Sequence, residues 1–134
     1  MRCLIVEDDF ISRKIMRELL APHFDIEIAV DGEEAVTAFK LAYEAKKPYD
    51  LICMDIMMPK MNGSEALKII REIEKEMGIP ANIEVKVIMT TALDDPKTVF
   101  DVYYNIGATA YIVKPISKAK LMRELRALGL IESF

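Results

Sequence analysis

Histidine and cysteine are scarce in this chain, with one histidine and two cysteines among 134 residues. Cys3 and Cys53 each sit inside an apolar run without CxxC or Cys/His spacing, so they read as buried thiols in a reducing compartment, not as metal ligands or a redox pair. His23 follows Pro22 between a helical pattern and a strand pattern, with no catalytic partner in evidence, and histidine acid–base chemistry is not expected. Long hydrophobic runs are also missing. The N-terminal apolar stretch covers only residues 3–6, far too short for a signal peptide or a membrane span, and the expectation is a cytoplasmic protein with no membrane contact. Nor is there an excess of positive charge: the net charge of −4 argues against nucleic acid as a direct ligand. No low-complexity tract, repeat or linker interrupts the chain. With 52% hydrophobic and 30% charged residues, 134 residues make one ordinary globular domain. A domain of that size buries roughly two thirds of its unfolded surface and needs neither disulfide nor structural metal.

Five short apolar runs, at residues 3–6, 26–30, 51–54, 85–89 and 110–113, alternate with five amphipathic segments. Asp31 and Glu34 have capping-box spacing ahead of a stripe of Val36, Phe39 and Tyr43. Ser64 precedes a helix carrying Leu67, Ile70 and Ile73 on one side. Asp95-Pro96 is a helix start that Gly107 would stop, and Ser117 opens a last helix with Leu121, Leu125 and Leu128 inward and Gly129 closing it. Five βα units predict a parallel sheet covered by helices on both faces.

The polar residues fall at the ends of the strands. The first run ends in Glu7-Asp8-Asp9, the third in Asp55, the fourth in Thr90-Thr91 and the fifth in Lys114. Open α/β sheets bind ligands outside the carboxyl ends of their strands, where strand order reverses. For the order 2-1-3-4-5 that point lies between strands 1 and 3, the two that end in carboxylates. Clustered carboxylates repel unless a cation sits among them, and a hard, oxygen-loving ion such as Mg²⁺ suits them. A hydroxyl and a lysine opposite would face an anionic ligand rich in oxygen, so the set describes a phosphoryl-transfer site. An ordinary aspartate is ionised at neutral pH, and carboxylates act as phosphoryl acceptors, so such a nucleophile needs no general base. Asp9 is assigned to the N-cap of the first helix, not to the site.

These residues resemble the receiver domains of two-component response regulators. The resemblance runs from Met1 to about Leu128 and rests on "LIVEDD", "DGEEA", "DLICMDIMMPKMNG", "VIMTTA" and "AYIVKP", in order and at suitable intervals. It implies the flavodoxin-like doubly wound α/β fold, five parallel strands in the order 2-1-3-4-5 with five helices, and one receiver domain over residues 1–134 without an effector domain. By the same resemblance Asp55 is the phosphoacceptor, taking its phosphoryl group from the phosphohistidine of a sensor histidine kinase or a phosphotransfer protein. Glu7 and Asp8 are the acidic pair for Mg²⁺ (or Mn²⁺), Asp8 directly and Glu7 partly through water, with Asp55 and the main-chain carbonyl of Met57 completing the set. Thr91 is the switch hydroxyl, Lys114 the phosphoryl-binding lysine with a candidate cis bond to Pro115, and Tyr111 the aromatic switch. Pro59 and Gly63 match the loop that shapes the site.

Met57 and Leu93 occupy the two places that govern attack of water on the acyl phosphate in such domains. Both are apolar, so self-dephosphorylation is expected to be slow. The expected output is a changed binding face on the helix opened by Asp95-Pro96, the fifth strand and the last helix, with Tyr103, Tyr104, Lys118, Lys120, Arg123 and Arg126. That face would take a downstream protein or a second phosphorylated copy. Three other readings are weaker. An aspartyl-phosphate phosphatase would want an aspartate where Met57 stands. A flavin protein would want a glycine- and hydroxyl-rich loop where "EDDFIS" stands. A phosphorylation-independent interaction module of receiver fold would be expected to have lost part of the acid, threonine and lysine set, all of which is kept.

Overall fold

The computed structural model describes residues 1–92 and 106–132. Five strands, β1 (Arg2–Val6), β2 (Asp25–Ala29), β3 (Leu51–Asp55), β4 (Lys86–Thr91) and β5 (Ala110–Val113), form one parallel sheet in the order β2-β1-β3-β4-β5. Four α-helices lie among the described residues: α1 (Phe10–Leu20), α2 (Gly32–Glu44), α3 (Gly63–Glu76) and α4 (Lys118–Ala127), with a short 3₁₀ turn at Ala81–Ile83. The further helix expected to open at Asp95-Pro96 lies outside the described residues.

The inner strands β1, β3 and β4 are apolar on both sides because helices cover both faces, whereas β2 at the edge exposes Asp25 and Glu27. Alternation then sorts each strand between two cores. Leu4, Val6, Ile52, Met54, Val87 and Met89 pack with Val36 and Phe39 of α2 and Leu67 and Ile70 of α3. Cys3, Ile5, Leu51, Cys53 and Ile88 face the other way, against Met16 and Leu20 of α1 and Leu121 and Leu125 of α4. The stripe read on α2 is closed by an edge-on contact of Phe39 with Tyr43 at 5.0 Å between ring centroids. The two cysteines are free and buried, as their apolar setting requires.

Local signals set the helix ends. Asp9 caps α1 through Ser12 N–H at 2.8 Å, and Ser117 caps α4 through Lys120 N–H at 3.1 Å. Leu130 N–H returns to the Leu125 carbonyl at 2.9 Å, and Gly129, at φ +73°, supplies the left-handed turn that ends α4. Asp31 accepts from Glu34 N–H at 2.9 Å, but the Glu34 carboxylate reaches back to Val30 N–H at 3.0 Å, one residue before the cap. The helix expected behind Ser64 instead starts at Gly63. Asn62 is its cap, accepting from Glu65 N–H at 2.9 Å while the Glu65 carboxylate accepts from Asn62 N–H at 3.4 Å, a complete capping box. Ser64 therefore sits within the first turn. β4 also runs past Met89 to Thr91, because β3 and β5 continue to pair with it: Asp55 opposite Thr90, and Thr91 opposite Val113.

Candidate functional site

Three strands deliver charged side chains to one edge of the sheet. Glu7 is the first residue beyond β1 and is held by its N–H to the Ala29 carbonyl at 3.1 Å. Asp55 is the last residue of β3, and Lys114 follows β5 directly. Lys114 Nζ donates to Glu7 Oε1 at 2.7 Å and to Asp55 Oδ2 at 3.3 Å. The two carboxylates are buried, at 3% and 6% exposure, whereas Asp8 beside them is exposed. One carboxylate oxygen from each of Glu7, Asp8 and Asp55 lies within 4.8 Å of the others. Met57 N–H donates to Asp55 Oδ1 at 3.3 Å, so the main chain after the strand turns around that carboxylate.

Burial pushes the Glu7 carboxyl up to about 7. The bond from Lys114 pulls the other way, and the charge of Asp55 adds to the rise. Burial would lower Lys114, but the two carboxylates outweigh it and hold its ammonium above the ordinary lysine value. Two buried acids thus meet one ammonium, and with Asp8 beside them the mouth holds an excess of hard oxygen donors. That donor set fits Mg²⁺, which takes one or two carboxylates and fills its remaining positions with water or ligand oxygens.

Thr91 ends β4 fully buried, and its carbonyl accepts from Lys114 N–H at 2.7 Å, which ties the threonine and lysine segments together. The Lys114–Pro115 bond is cis. Tyr111 is half-buried against the α2–α3 core and lines a cleft of about 270 Å³ with Lys120 and Arg123. Met54 is buried within β3, Met58 and Met61 pack at the edge of the core, and Met57 is 61% exposed. Leu93 lies outside the described residues, as do Tyr103 and Tyr104. His23 is exposed between α1 and β2, away from the cluster.

Gly63 acquires a steric reason here. Its N–H donates to the Ile56 carbonyl at 2.9 Å, and a Cβ on it would overlap the Asp55 carbonyl oxygen. Gly63→Ala must push the end of β3 away from α3. The expected cost is about 2 kcal/mol or more, read as a lower urea midpoint at unchanged slope.

Two features were not legible in the linear pattern. The loop after Asp55 is pinned to the start of α2, with Gly32 N–H donating to the Met61 carbonyl at 3.2 Å and Lys60 Nζ 3.8 Å from Asp31 Oδ2. On the other side of the site α1 exposes Phe10, Ile11 and Ile15, at 66%, 67% and 45%, beside a cavity of about 280 Å³ that Lys114, Pro115 and Ile116 help to line. The only sequence signal for the latter was that α1 has more apolar residues than one buried face requires.

Similarity to known proteins agrees with this geometry. The chain is 34% identical over 130 residues to the chemotaxis protein CheY of Treponema pallidum, covering 95% of this chain and 81% of that protein. It spans only 47% and 49% of the length of two curated transcriptional regulators that it also matches. Among solved structures it superposes with a TM-score of 0.83 and 33% identity on a chain of the CheX–CheY–BeF3–Mg²⁺ complex from Borrelia burgdorferi, covering 96% of this chain and 89% of that one. With the Saccharomyces cerevisiae complex of the phosphotransfer protein Ypd1 and the receiver domain of Ssk1, the TM-score is 0.81 at 26% identity, covering 100% and 94%. The response regulator receiver domain matches residues 3–126, nearly the whole chain. With its 2-1-3-4-5 sheet and its acidic cluster closed by a lysine, the protein belongs to the response regulator receiver domain family of two-component signalling.

Proposed function

We propose that this protein is a phosphorylation-activated switch whose Asp55 accepts a phosphoryl group from the phosphohistidine of a sensor histidine kinase or a phosphotransfer protein. The observation that carries the reading is the Lys114 ammonium, held 2.7 Å from Glu7 and 3.3 Å from Asp55 inside an acidic cluster. An Asp55 carboxylate oxygen forms the new bond to phosphorus. The phosphorus–nitrogen bond of the donor breaks, and the imidazole keeps the electron pair. Lys114 exchanges its longer bond, the one to Asp55, for a phosphoryl oxygen while Glu7 retains the shorter one. Glu7, Asp8, Asp55 and the Met57 carbonyl would hold Mg²⁺, or Mn²⁺ in its place, and such an ion would supply neutralisation of the charge that builds on the transferring group.

The same reading gives Thr91 and Tyr111 the switch. The Thr91 hydroxyl turns to the phosphoryl group and Tyr111 rotates inward, so the modification favours one of two existing arrangements. The changed surface is that of β5 and α4, where Lys118, Lys120, Arg123 and Arg126 are exposed and where a downstream protein or a second phosphorylated copy would dock. The apolar residues Phe10, Ile11 and Ile15 beside the site support docking of the donor over α1. In a related complex the Ssk1 receiver domain is bound to the phosphotransfer protein Ypd1.

Intact-protein mass after incubation with acetyl phosphate and Mg²⁺, and separately with a phosphorylated phosphotransfer protein, tests the reading. One phosphoryl increment that disappears on chelating Mg²⁺ is expected. A chain that stays unmodified with both donors would instead be a phosphorylation-independent binding module. Neither Met57 nor Leu93 can orient a water, so the acyl phosphate should persist for minutes or longer after the donor is removed. Loss of the increment within seconds would overturn that expectation.

A further inference from the structure

β2 is an edge strand, and of its residues only Ala29 is buried. Along the outer side of this helix two clefts of about 430 and 310 Å³ run end to end, sharing Ala38 and Leu41 in their walls. They make one groove between α2 and the β2 edge. At its centre Leu41 is 57% exposed, a large apolar side chain with no cover. Its neighbours on the same stripe, Ala38 and Ala45, are small, so another helix can approach closely there. The charge along the groove is polar end to end. At the N-terminal end of α2 the acids Asp31, Glu33 and Glu34 outnumber Lys60, which pairs with Asp31, and at its C-terminal end Arg2, Lys46 and Lys47 outnumber Glu27 and Glu44. Glu33 and Lys46 form no ion pair among the described residues.

A surface with an acidic end, a basic end and a protruding leucine beside alanine is complementary to itself turned around. We propose that α2 is the contact of a weak two-fold homodimer, packed antiparallel against α2 of a second copy of this chain. A two-fold axis that sets Leu41 opposite Ala38 of the second copy also sets Glu33 at the level of Lys46. The same axis places the acidic start of each helix beside the basic end of the other and opposes the two helix dipoles. The 13 residues of α2 span about 20 Å. A contact of that length buries on the order of 1,000 Å² in total, the lower edge of specific association. The dimer is therefore weak, and because α2 stands apart from β5 and α4 it forms without phosphorylation.

Sedimentation of the unphosphorylated protein from about 5 to about 500 µM tests this, with an expected dissociation constant on the order of 100 µM. Leu41→Arg should weaken association at least about tenfold, since it buries a charge at the centre of the contact. Leu41 is exposed in one copy, so the variant should keep its circular dichroism and melting temperature. Glu33→Lys and Lys46→Glu should each weaken the dimer, and the double variant should recover it. A protein monomeric at every concentration overturns the proposal and leaves the groove to a different partner. A dimer indifferent to Leu41→Arg but lost on Arg123→Glu overturns it in favour of the β5–α4 face. Failure of the double charge exchange to restore a dimer that each single exchange had weakened overturns the register.

Discussion

Asp55→Asn should take up no phosphoryl group from any donor, against one per chain in the unaltered protein, while folding as well or better. The loss is expected to be complete because an amide nitrogen, its lone pair delocalised, does not attack phosphorus. The substitution also removes one of three carboxylates offered to Mg²⁺. Stability should follow a different course. Asp55 and Glu7 are two buried acids facing one ammonium, and the charge of Asp55 helps to raise Glu7. Removing it relieves a like-charge contact, and the side-chain oxygen of the introduced asparagine can still accept from Met57 N–H, now 3.3 Å from Asp55 Oδ1. Lys114 keeps its 2.7 Å bond to Glu7. Intact mass and thermal unfolding, measured on the same preparation, separate the two effects. A variant that lost phosphorylation by unfolding would leave the role of Asp55 open to another residue, whereas an increment on folded Asp55→Asn would sink the assignment.

Glu74→Ala should be strongly destabilising, although Glu74 takes no part in the acidic cluster. Its carboxylate is fully buried, accepting from Arg71 Nη1 at 2.7 Å and from Val85 N–H at 2.8 Å. Arg71 in turn donates to the carbonyls of Val85 at 2.9 Å and Gly107 at 3.1 Å. One ion pair on α3 thus fastens the approach to β4 and the turn before β5. Truncation leaves a buried N–H without a partner and a guanidinium without its counter-charge. Breaking a buried pair in this way costs about 3–5 kcal/mol, a large part of the stability of a domain this size. The melting temperature should fall by about 10 °C or more. Glu74→Gln, which can still accept from Val85 N–H, should cost less. A Glu74→Ala variant as stable as the parent would show that the arginine is satisfied by the carbonyls alone.

The residues that converge on the acidic cluster were legible because parallel sheets put them where strand runs end. A charged residue directly after an apolar run marks the carboxyl edge, and Glu7, Asp55 and Lys114 all stand in that position. Their convergence follows from strand order, since β1 and β3 are neighbours and β5 lies two strands away from β3. The caps at Asp9, Asp31 and Ser117 were equally local, because a cap needs only a side chain and an N–H three residues on. The start of α3 was not. Ser64 has the chemistry of a cap, but Asn62 is favoured because Gly63 must tuck against the Asp55 carbonyl, a contact between segments that the linear pattern does not relate.

What the sequence by itself determined is the set of elements, their order and the charged ends of the strands, all products of short-range periodicity and propensity. Only the tertiary structure decided which acids are buried, which cation lies between them, why Gly63 and Gly32 leave no room for a side chain, and that Glu74, an ordinary helix glutamate in sequence, is a buried anchor. It also decided that Leu41 and the apolar residues of α1 stay uncovered. Those properties depend on distances between residues remote along the chain, and burial and electrostatic shift are set by such distances and by nothing local.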